Sequence, residues 1–265
     1  MNSNDSARFY PSFIFRLIAA ISAAVILSSN AAFGQQARDY TAKALAAMSA
    51  PRDYTFENER LIDSINRVAH SIKLNIVFHL SSLSIVTKPN AITVLHNISA
   101  PDAIDALLQA NGLVQYQLDR RAVMVVDQNH TRGPIATIQT VITQAIEEEG
   151  REPVADTSLR SQPELRTVDV VFRNATLAGG IENLAAVARL KVTFDKTIEY
   201  RVRFASLDID LRDVTEPQAL RYMLDAFDLK YEEVTGDTIN IVGENHQHSS
   251  TPLEEIIKKA AMKGR

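Results

Sequence analysis

The 265-residue chain is 46% hydrophobic and 23% charged, which is typical of a globular protein and argues against intrinsic disorder. A net charge of −4 and the lack of Trp argue against a nucleic-acid binder, which usually carries a clustered basic surface and aromatic stacking residues. The absence of cysteine excludes disulfides, thiolate metal sites, a cysteine nucleophile and lipidation of an N-terminal cysteine.

The N-terminus has the three-part pattern of a secretory signal peptide. Arg16 precedes an apolar run of 11 residues, Leu17–Leu27, and small residues follow it. Ala32 and Gly34 occupy the −3 and −1 positions of a cleavage site after Gly34. The run is shorter than the roughly 20 residues that a membrane-spanning helix needs. We therefore favour a cleaved signal (1–34) over an uncleaved anchor. We expect an exported protein, in the periplasm or at the periplasmic face of the outer membrane, that is not an integral membrane protein after cleavage.

One long stretch of the chain occurs twice. The motif Leu74–Phe78 (LNIVF) recurs as Leu190–Phe194 (LKVTF), 116 positions later, and the offset holds without a gap from Tyr54/Val170 to Val126/Val242. Identical residues at this offset are mostly apolar: Phe56/Phe172, Leu61/Leu177, Ile65/Ile181, Phe78/Phe194, Leu95/Leu211, Leu108/Leu224 and Leu113/Leu229. Because apolar positions at core spacing are the ones retained, the pattern indicates that a fold was duplicated.

Each copy predicts the same order of elements: strand, helix, two strands, helix and a hairpin. Asn58 and Asn174 are predicted to cap the first helix of each copy, and Ser99 and Thr215 the second. Between the helices of the second copy, Arg201–Leu211 alternates like a strand. The predicted fold class is α+β, with two tandem βαββαββ modules, each having two helices packed on small mixed β-sheets.

The modules are predicted to span residues 54–127 and 168–243. A lead-in helix (35–53) comes before them, a helix and polar linker (128–167) separate them, and a polar tail with an amphipathic helix (244–265) follows. The spacing leaves open whether the helix after each copy packs on that copy or docks elsewhere.

The sequence contains no motif of a known catalytic or cofactor site. A Gly-x-Ser-x-Gly elbow, a glycine-rich phosphate loop and His-Glu-x-x-His are all missing. His70, His79 and His96 fall on different predicted elements without ligand spacing, and His246-x-His248 lacks a third ligand. We therefore predict no catalytic residue, no cofactor and no metal.

Two polar groups of the second copy remain as candidates. Asp208, Asp210 and Asp213 are interpreted as a solvated sheet face, since paired carboxylates act as acid and base only in a pocket that shifts a pKa. Arg201 and Arg203 alternate along their predicted strand and are candidate partner-binding residues that would contact an acidic protein. The alternative is again a solvated face.

The two copies resemble the secretin and TonB short N-terminal domain, which includes the N0 domain of secretins. The resemblance rests on VDVVFRNATL and LKVTFD within Val168–Gly243, and on LLQANGL, which ends at Leu113, within Tyr54–Asp127. The second copy departs from the family pattern by having Asp228 before Leu229, where Gly is usual. The resemblance implies no catalytic residues. It implies contacts with envelope proteins: inner-membrane components of secretion or pilus systems, or an anti-sigma regulator of TonB-dependent transducers.

The prediction is thus a non-enzymatic periplasmic protein–protein interaction module of a secretin-, pilus- or TonB-linked envelope transport system. Two alternatives come from other classes of protein. One is a structural subunit that forms homo-oligomeric rings, as related modules do. The other is an exported enzyme with a site between the copies, for which no residue set was found.

Overall fold

The computed structural model describes residue 39 and residues 41–89, 92–130, 134–149, 167–246 and 251–263. The predicted signal peptide (1–34) and most of the predicted polar linker lie outside these residues. We call residues 41–149 the first half and residues 167–263 the second half. The predicted α+β class is confirmed, since helices accompany small antiparallel and mixed sheets in both halves.

In the first half, a helix over residues 41–49 (α1) precedes a strand-rich region. Its elements are β1 (Arg52–Phe56), α2 (Leu61–Ser71), β2 (Asn75–Phe78), a 3-10 turn (Leu80–Ser82), α3 (Leu83–Val86), β3 (Thr93–Ile98), α4 (Ala100–Ala110), β4 (Leu113–Asp119), β5 (Ala122–Asp127) and α5 (Ile138–Glu149). Strands β1 and β3 form one antiparallel pair. Strand β5 lies between β2, which is parallel to it, and β4, which is antiparallel.

The second half has the same order and the same pairings. Its elements are β6 (Thr167–Thr176), α6 (Leu177–Val187), β7 (Lys191–Phe194), α7 (Lys196–Phe204), β8 (Ser206–Thr215), α8 (Glu216–Ala226), β9 (Leu229–Thr235), β10 (Thr238–Gly243) and α9 (Leu253–Lys263). The register agrees as well, since Asn75 pairs with Ala122 and Lys191 pairs with Thr238, each 116 positions later. The prediction omitted two helices, α3 and α7, which replace irregular and strand-like segments.

Left-handed backbone conformations occur at the same offset. The described residues with positive φ form four pairs 116 positions apart: Asn58/Asn174, Lys73/Arg189, Asn97/Asp213 and Gly112/Asp228. Only one of these residues is glycine, although an L side chain in this region costs roughly 1–2 kcal/mol. The fold therefore imposes the same backbone turns on different side chains.

The predicted helix caps are right for one pair and wrong for the other. Ser99 and Thr215 do cap α4 and α8, and Thr215 forms the predicted capping box. Asn58 and Asn174 are not caps, because both have positive φ and lie two residues before the capping position. Asn is favoured both at caps and in the left-handed region, so its presence did not distinguish the two roles.

The two largest hydrophobic cores lie mainly in one half each, and they show where α5 and α9 pack. Ile138 and Ile142 of α5 belong to the core of the first half, next to α4. Ile256 and Ile257 of α9 belong to the core of the second half, next to α8. Each of these helices therefore packs on its own half.

Gly112 provides a test of the backbone at the end of α4. Its φ is +66°, and an added Cβ would make only ordinary contacts with Gln128, the nearest at 3.5 Å. Gly112→Ala should therefore lower the free energy of unfolding by about 1–2 kcal/mol through backbone strain alone. Gly112→Asn should cost less, since Asn tolerates this conformation. Urea unfolding of both variants tests this, and equal losses would contradict it.

Candidate functional site

The two predicted partner-binding residues lie on a helix, so the predicted strand over residues 201–204 is wrong. Arg201 and Arg203 belong to the last turn of α7, and the strand β8 begins only at Ser206. Alternation of Arg201 and Arg203 with Val202 and Phe204 was mistaken for strand periodicity. The next strand does cover the rest of the predicted segment.

Helix α7 is fixed by a cap and by one buried stripe. The Asp195 carboxylate accepts a hydrogen bond from the Thr197 N–H at 2.8 Å, which caps the first turn. Ile198 and Val202, four residues apart, are buried in the core of the second half. Four-residue spacing of the buried positions leaves the other sides of the helix facing solvent.

Two large aromatic side chains lie on the exposed side of this helix. Tyr200 is 77% exposed and Phe204 is 71% exposed, and their ring centroids are 4.6 Å apart. We call Tyr200, Arg201, Arg203 and Phe204 the α7 surface. The sequence interpretation missed both aromatic residues because it placed Phe204 on the inner face of a strand. The signal available was the spacing of Ile198 and Val202.

Local contacts hold both arginines of the α7 surface. Arg203 donates from Nε and Nη2 to Oε1 of Glu199, at 3.1 and 2.9 Å, one turn earlier. Arg201 donates to the main-chain carbonyl of Phe227, the residue that ends α8. Arg201 thus joins two helices of the second half, while Arg203 stays on the surface of α7.

The equivalent segment of the first half has a different environment. Ser84 and Lys88 occupy the positions that correspond to Tyr200 and Phe204. Leu83 of α3 packs against the core of the second half, and Ser84 lines a cleft with Asn174 and Ser206. Leu83 of α3 therefore contacts the second half, but Ser84 and Lys88 are exposed, as Tyr200 and Phe204 are.

The prediction that Asp208 and Asp210 form a solvated face is wrong. The two residues are only 8% and 6% exposed, because the first half covers this face of β8. Asp208 accepts from Arg60 of the first half at 3.1 Å, and Asp210 accepts from Arg173 at 2.9 Å. Alternation placed the two carboxylates on one face correctly, but it contained no information on what covers that face. Asp213 is exposed and takes a left-handed backbone conformation.

A second carboxylate joins the halves in the opposite direction. Asp119, at the tip of the β4–β5 hairpin, accepts hydrogen bonds at Oδ2 from three side chains of α8. The donors are Gln218 (3.1 Å), Arg221 (2.9 Å) and Tyr222 (3.1 Å). One carboxylate oxygen of the first half therefore organises one face of a helix in the second half.

The environment of this contact shifts the pKa values of the Asp119 carboxyl and the Tyr222 hydroxyl away from neutrality. Burial alone would raise the pKa of Asp119, but hydrogen bonds from the Arg120 N–H, Tyr222 and Gln218, with the Arg221 charge, hold it below its ordinary value. Burial, followed by the nearby Asp119 charge, raises the pKa of Tyr222 well above its ordinary value. A general acid or base works best with a pKa near the working pH. The pKa values of Asp119 and Tyr222 therefore suit a structural contact better than acid–base chemistry.

His70, His79 and His96, the three histidines that the sequence analysis considered in the first half, are not brought together. His96 is exposed on β3 beside Asp53, and His70 lies 3.6 Å from Asp210. His79 is buried where the halves meet, next to Asp228 and His130, a residue that the sequence interpretation did not single out. In the tail, His246 lies 3.8 Å from Glu232, and His248 lies outside the described residues.

Comparisons with protein-family models, curated proteins and solved structures gave no significant match to this chain. Among the helices of the described part of the chain, none is both long enough and apolar enough to cross a bilayer.

Asp119→Asn tests the hairpin contact. The charge should contribute about 1–3 kcal/mol to the free energy of unfolding at pH 7, since hydrogen bonds to a charged group are stronger than neutral ones. Because the folded-state pKa is lowered, this contribution is fully present above the ordinary Asp value of about 4 and is lost as the pH falls through the folded value. The difference between wild type and Asp119→Asn should therefore be constant above about pH 5 and shrink at lower pH.

Chemical unfolding of the two proteins from pH 2 to pH 7 measures this difference. Glu182→Gln, which changes an exposed carboxylate on α6, is the matched control and should leave stability nearly unchanged. A difference for Asp119→Asn that does not depend on pH would show that the charge contributes nothing.

Proposed function

We propose that this protein is a non-enzymatic, exported interaction module of an envelope transport system, and that the α7 surface binds its protein partner. The observation that carries the proposal is the exposure of Tyr200 and Phe204 next to two arginines. Aromatic residues and arginine are enriched at protein interfaces and supply most binding hot spots. Large exposed aromatic side chains in adjacent helical turns have no role in the core below them.

The chemistry of the α7 surface specifies the partner. Lys196, Arg201 and Arg203 outnumber Glu199 among the charged residues of α7. The aromatic pair offers two flat apolar faces, and the arginines offer hydrogen-bond donors at its edges. The complementary surface is one that combines carboxylates with an apolar side chain. This agrees with the acidic partner predicted for Arg201 and Arg203.

We further infer that the chain contains two tandem βαββαββ modules of the secretin and TonB short N-terminal domain type, over residues 54–127 and 168–243. Support comes from the repeated element bounds, the repeated strand register and the four repeated left-handed positions. The left-handed conformation of Asp228 also explains how this residue replaces the glycine that is usual in the family. Placement in the periplasm rests on the signal-peptide pattern alone.

In a ring of copies, the second half of one chain would contact the first half of the next chain in the way that the two halves contact each other within one chain. The residues at the equivalent positions of the two halves disfavour such a ring. Asp119, His79 and Arg60 of the first half correspond to Thr235, Asp195 and Thr176 of the second. On the opposite side, Asp208, Arg221 and Asp228 correspond to Ile92, Asp105 and Gly112. Two chains placed end to end therefore could not form the ion pairs that join the halves within one chain.

Light scattering coupled to size-exclusion chromatography tests this point. We expect the mass of a single chain at micromolar concentration, since the charged contact between the halves is not repeated at either end. A stable ring would contradict this proposal and support the structural-subunit alternative.

The α7 surface is tested by placing a photo-crosslinking phenylalanine analogue at position 200. An aromatic analogue at this exposed position should crosslink to one envelope protein in living cells. The same analogue at Ile135, which is 59% exposed in the first half, should not crosslink to that protein. Recovery of the same proteins from both positions, or of no envelope protein from position 200, would refute the proposal.

Substitutions then quantify the contact with the crosslinked partner. Tyr200→Ala combined with Phe204→Ala should weaken binding at least about tenfold, since truncation of one aromatic hot spot costs about 2 kcal/mol or more. The thermal midpoint should hardly change, because both side chains are exposed. Arg203→Ala should weaken binding more at low salt than at high salt. Ile92→Ala, at an exposed apolar position of the first half, is the control and should bind normally.

A further inference from the structure

Three potential metal ligands meet where the two halves join. His79 follows β2, His130 follows β5, and Asp228 follows α8. One ligand atom from each lies within 4.8 Å of the other two. His79 Nε2 is 3.0 Å from Asp228 Oδ1, and the His79 and His130 rings stack with centroids 4.4 Å apart. We call these residues the three-ligand cluster.

The main chain positions each member of the cluster. Asp228 has a φ of +56°, which turns the chain directly after the end of α8. His79 caps the 3-10 turn, since its Nδ1 accepts from the Ser81 N–H at 3.1 Å. The His130 N–H donates to the Asp127 carbonyl at 2.8 Å. The cluster is therefore built by three separate local structures and not by a single flexible loop.

We propose that His79, His130 and Asp228 bind a divalent transition metal of the zinc class. Two imidazoles and one carboxylate are ligands that Zn²⁺ accepts, and three protein ligands leave a fourth, tetrahedral position for water. Hard cations such as Mg²⁺ and Ca²⁺ prefer oxygen ligands and are disfavoured by two imidazoles. His79 is only 2% exposed, so the ion would be partly shielded from solvent.

The distances fit this proposal after one small movement. Bonds of about 2.1 Å in a tetrahedral site separate the ligand atoms by about 3.4 Å. The atoms of His79 and Asp228 are already within that range. The separations that involve His130 reach at most 4.8 Å and need to shorten by about 1.4 Å at their widest. His130 is more exposed than His79, so we assign this movement to the His130 side chain.

A change of tautomer at His79 accompanies binding. The Ser81 N–H donates to Nδ1, which places the proton on Nε2, where it faces Asp228. A metal at Nε2 takes the place of that proton, which moves to Nδ1. Ser81 Oγ, 2.9 Å away, can accept it there. A second hydrogen-bond partner on the ligating histidine is usual for metal sites. The exchange gives up the bond from the Ser81 N–H, which limits the affinity.

The duplication supplies a matched control within the same chain. His246 lies 116 positions after His130, and Asp195 lies 116 positions after His79. The second half therefore keeps one histidine and one carboxylate at these positions. Among the described residues, no third ligand joins His246 and Asp195. The cluster is complete only where the first half meets the second.

Calorimetric titration of the chelator-treated protein with Zn²⁺, and the visible absorption of bound Co²⁺, test the proposal. We expect one Zn²⁺ per chain and the absorption bands of four-coordinate Co²⁺. His130→Ala and Asp228→Asn should each weaken binding at least about tenfold and remove the Co²⁺ bands, since loss of even an outer-shell partner costs 10–100-fold. His246→Ala should bind like wild type.

Far-UV circular dichroism shows whether His130→Ala is folded, so that a loss of Zn²⁺ binding can be assigned to the missing ligand. The spectrum should not change, because the His130 side chain is partly exposed. Absence of Zn²⁺ binding by wild type would overturn the proposal. Unaltered affinity in folded His130→Ala, or equal loss in His246→Ala, would do so as well.

Discussion

The structure depends on two carboxylates, the buried Asp208 and the partly buried Asp119, that cross from each half to the other. Asp208 of the second half is held by Arg60 of the first, and Asp119 of the first half is held by Arg221 and Tyr222 of the second. A buried ion pair contributes little net stability, but loss of Arg60 would leave the buried charge of Asp208 without this partner, at a cost of about 3–5 kcal/mol. The reciprocal arrangement therefore fixes one relative placement of the halves more than it adds stability.

This fixed placement decides which surfaces are available. It brings Leu83 of α3 against the core of the second half, whereas α7, with its two exposed aromatic residues, packs on elements of its own half. It also carries Asp228 to within 3.0 Å of His79, which neither half achieves alone. The proposed metal site thus follows from the contact between the halves.

The sequence was informative where a pattern is local and uninformative where a contact is distant. The capping residues Ser99 and Thr215 predicted the starts of α4 and α8 correctly, because a cap acts within the first turn of a helix. The sequence of α7 is short, and its pattern of polar and apolar residues is compatible with both a strand and a helix. Only the burial of Ile198 and Val202, four residues apart, identifies it as a helix. Neither the burial of Asp208 nor the approach of His130 to Asp228 leaves a local signal, because each depends on how the halves pack.

Both proposed sites lie at positions where the two halves differ. The shared positions are apolar residues and left-handed turns, which any copy of this fold requires. Tyr200 replaces Ser84, and Asp195 replaces His79, at surfaces whose neighbours also differ. Ser84 is exposed, but it lines a cleft with Asn174 and Ser206 of the second half, whereas Tyr200 lies on a helix whose main contacts are with elements of its own half. An aromatic side chain at position 84 would therefore lie beside the other half, while at position 200 it faces solvent, where the proposed partner would reach it.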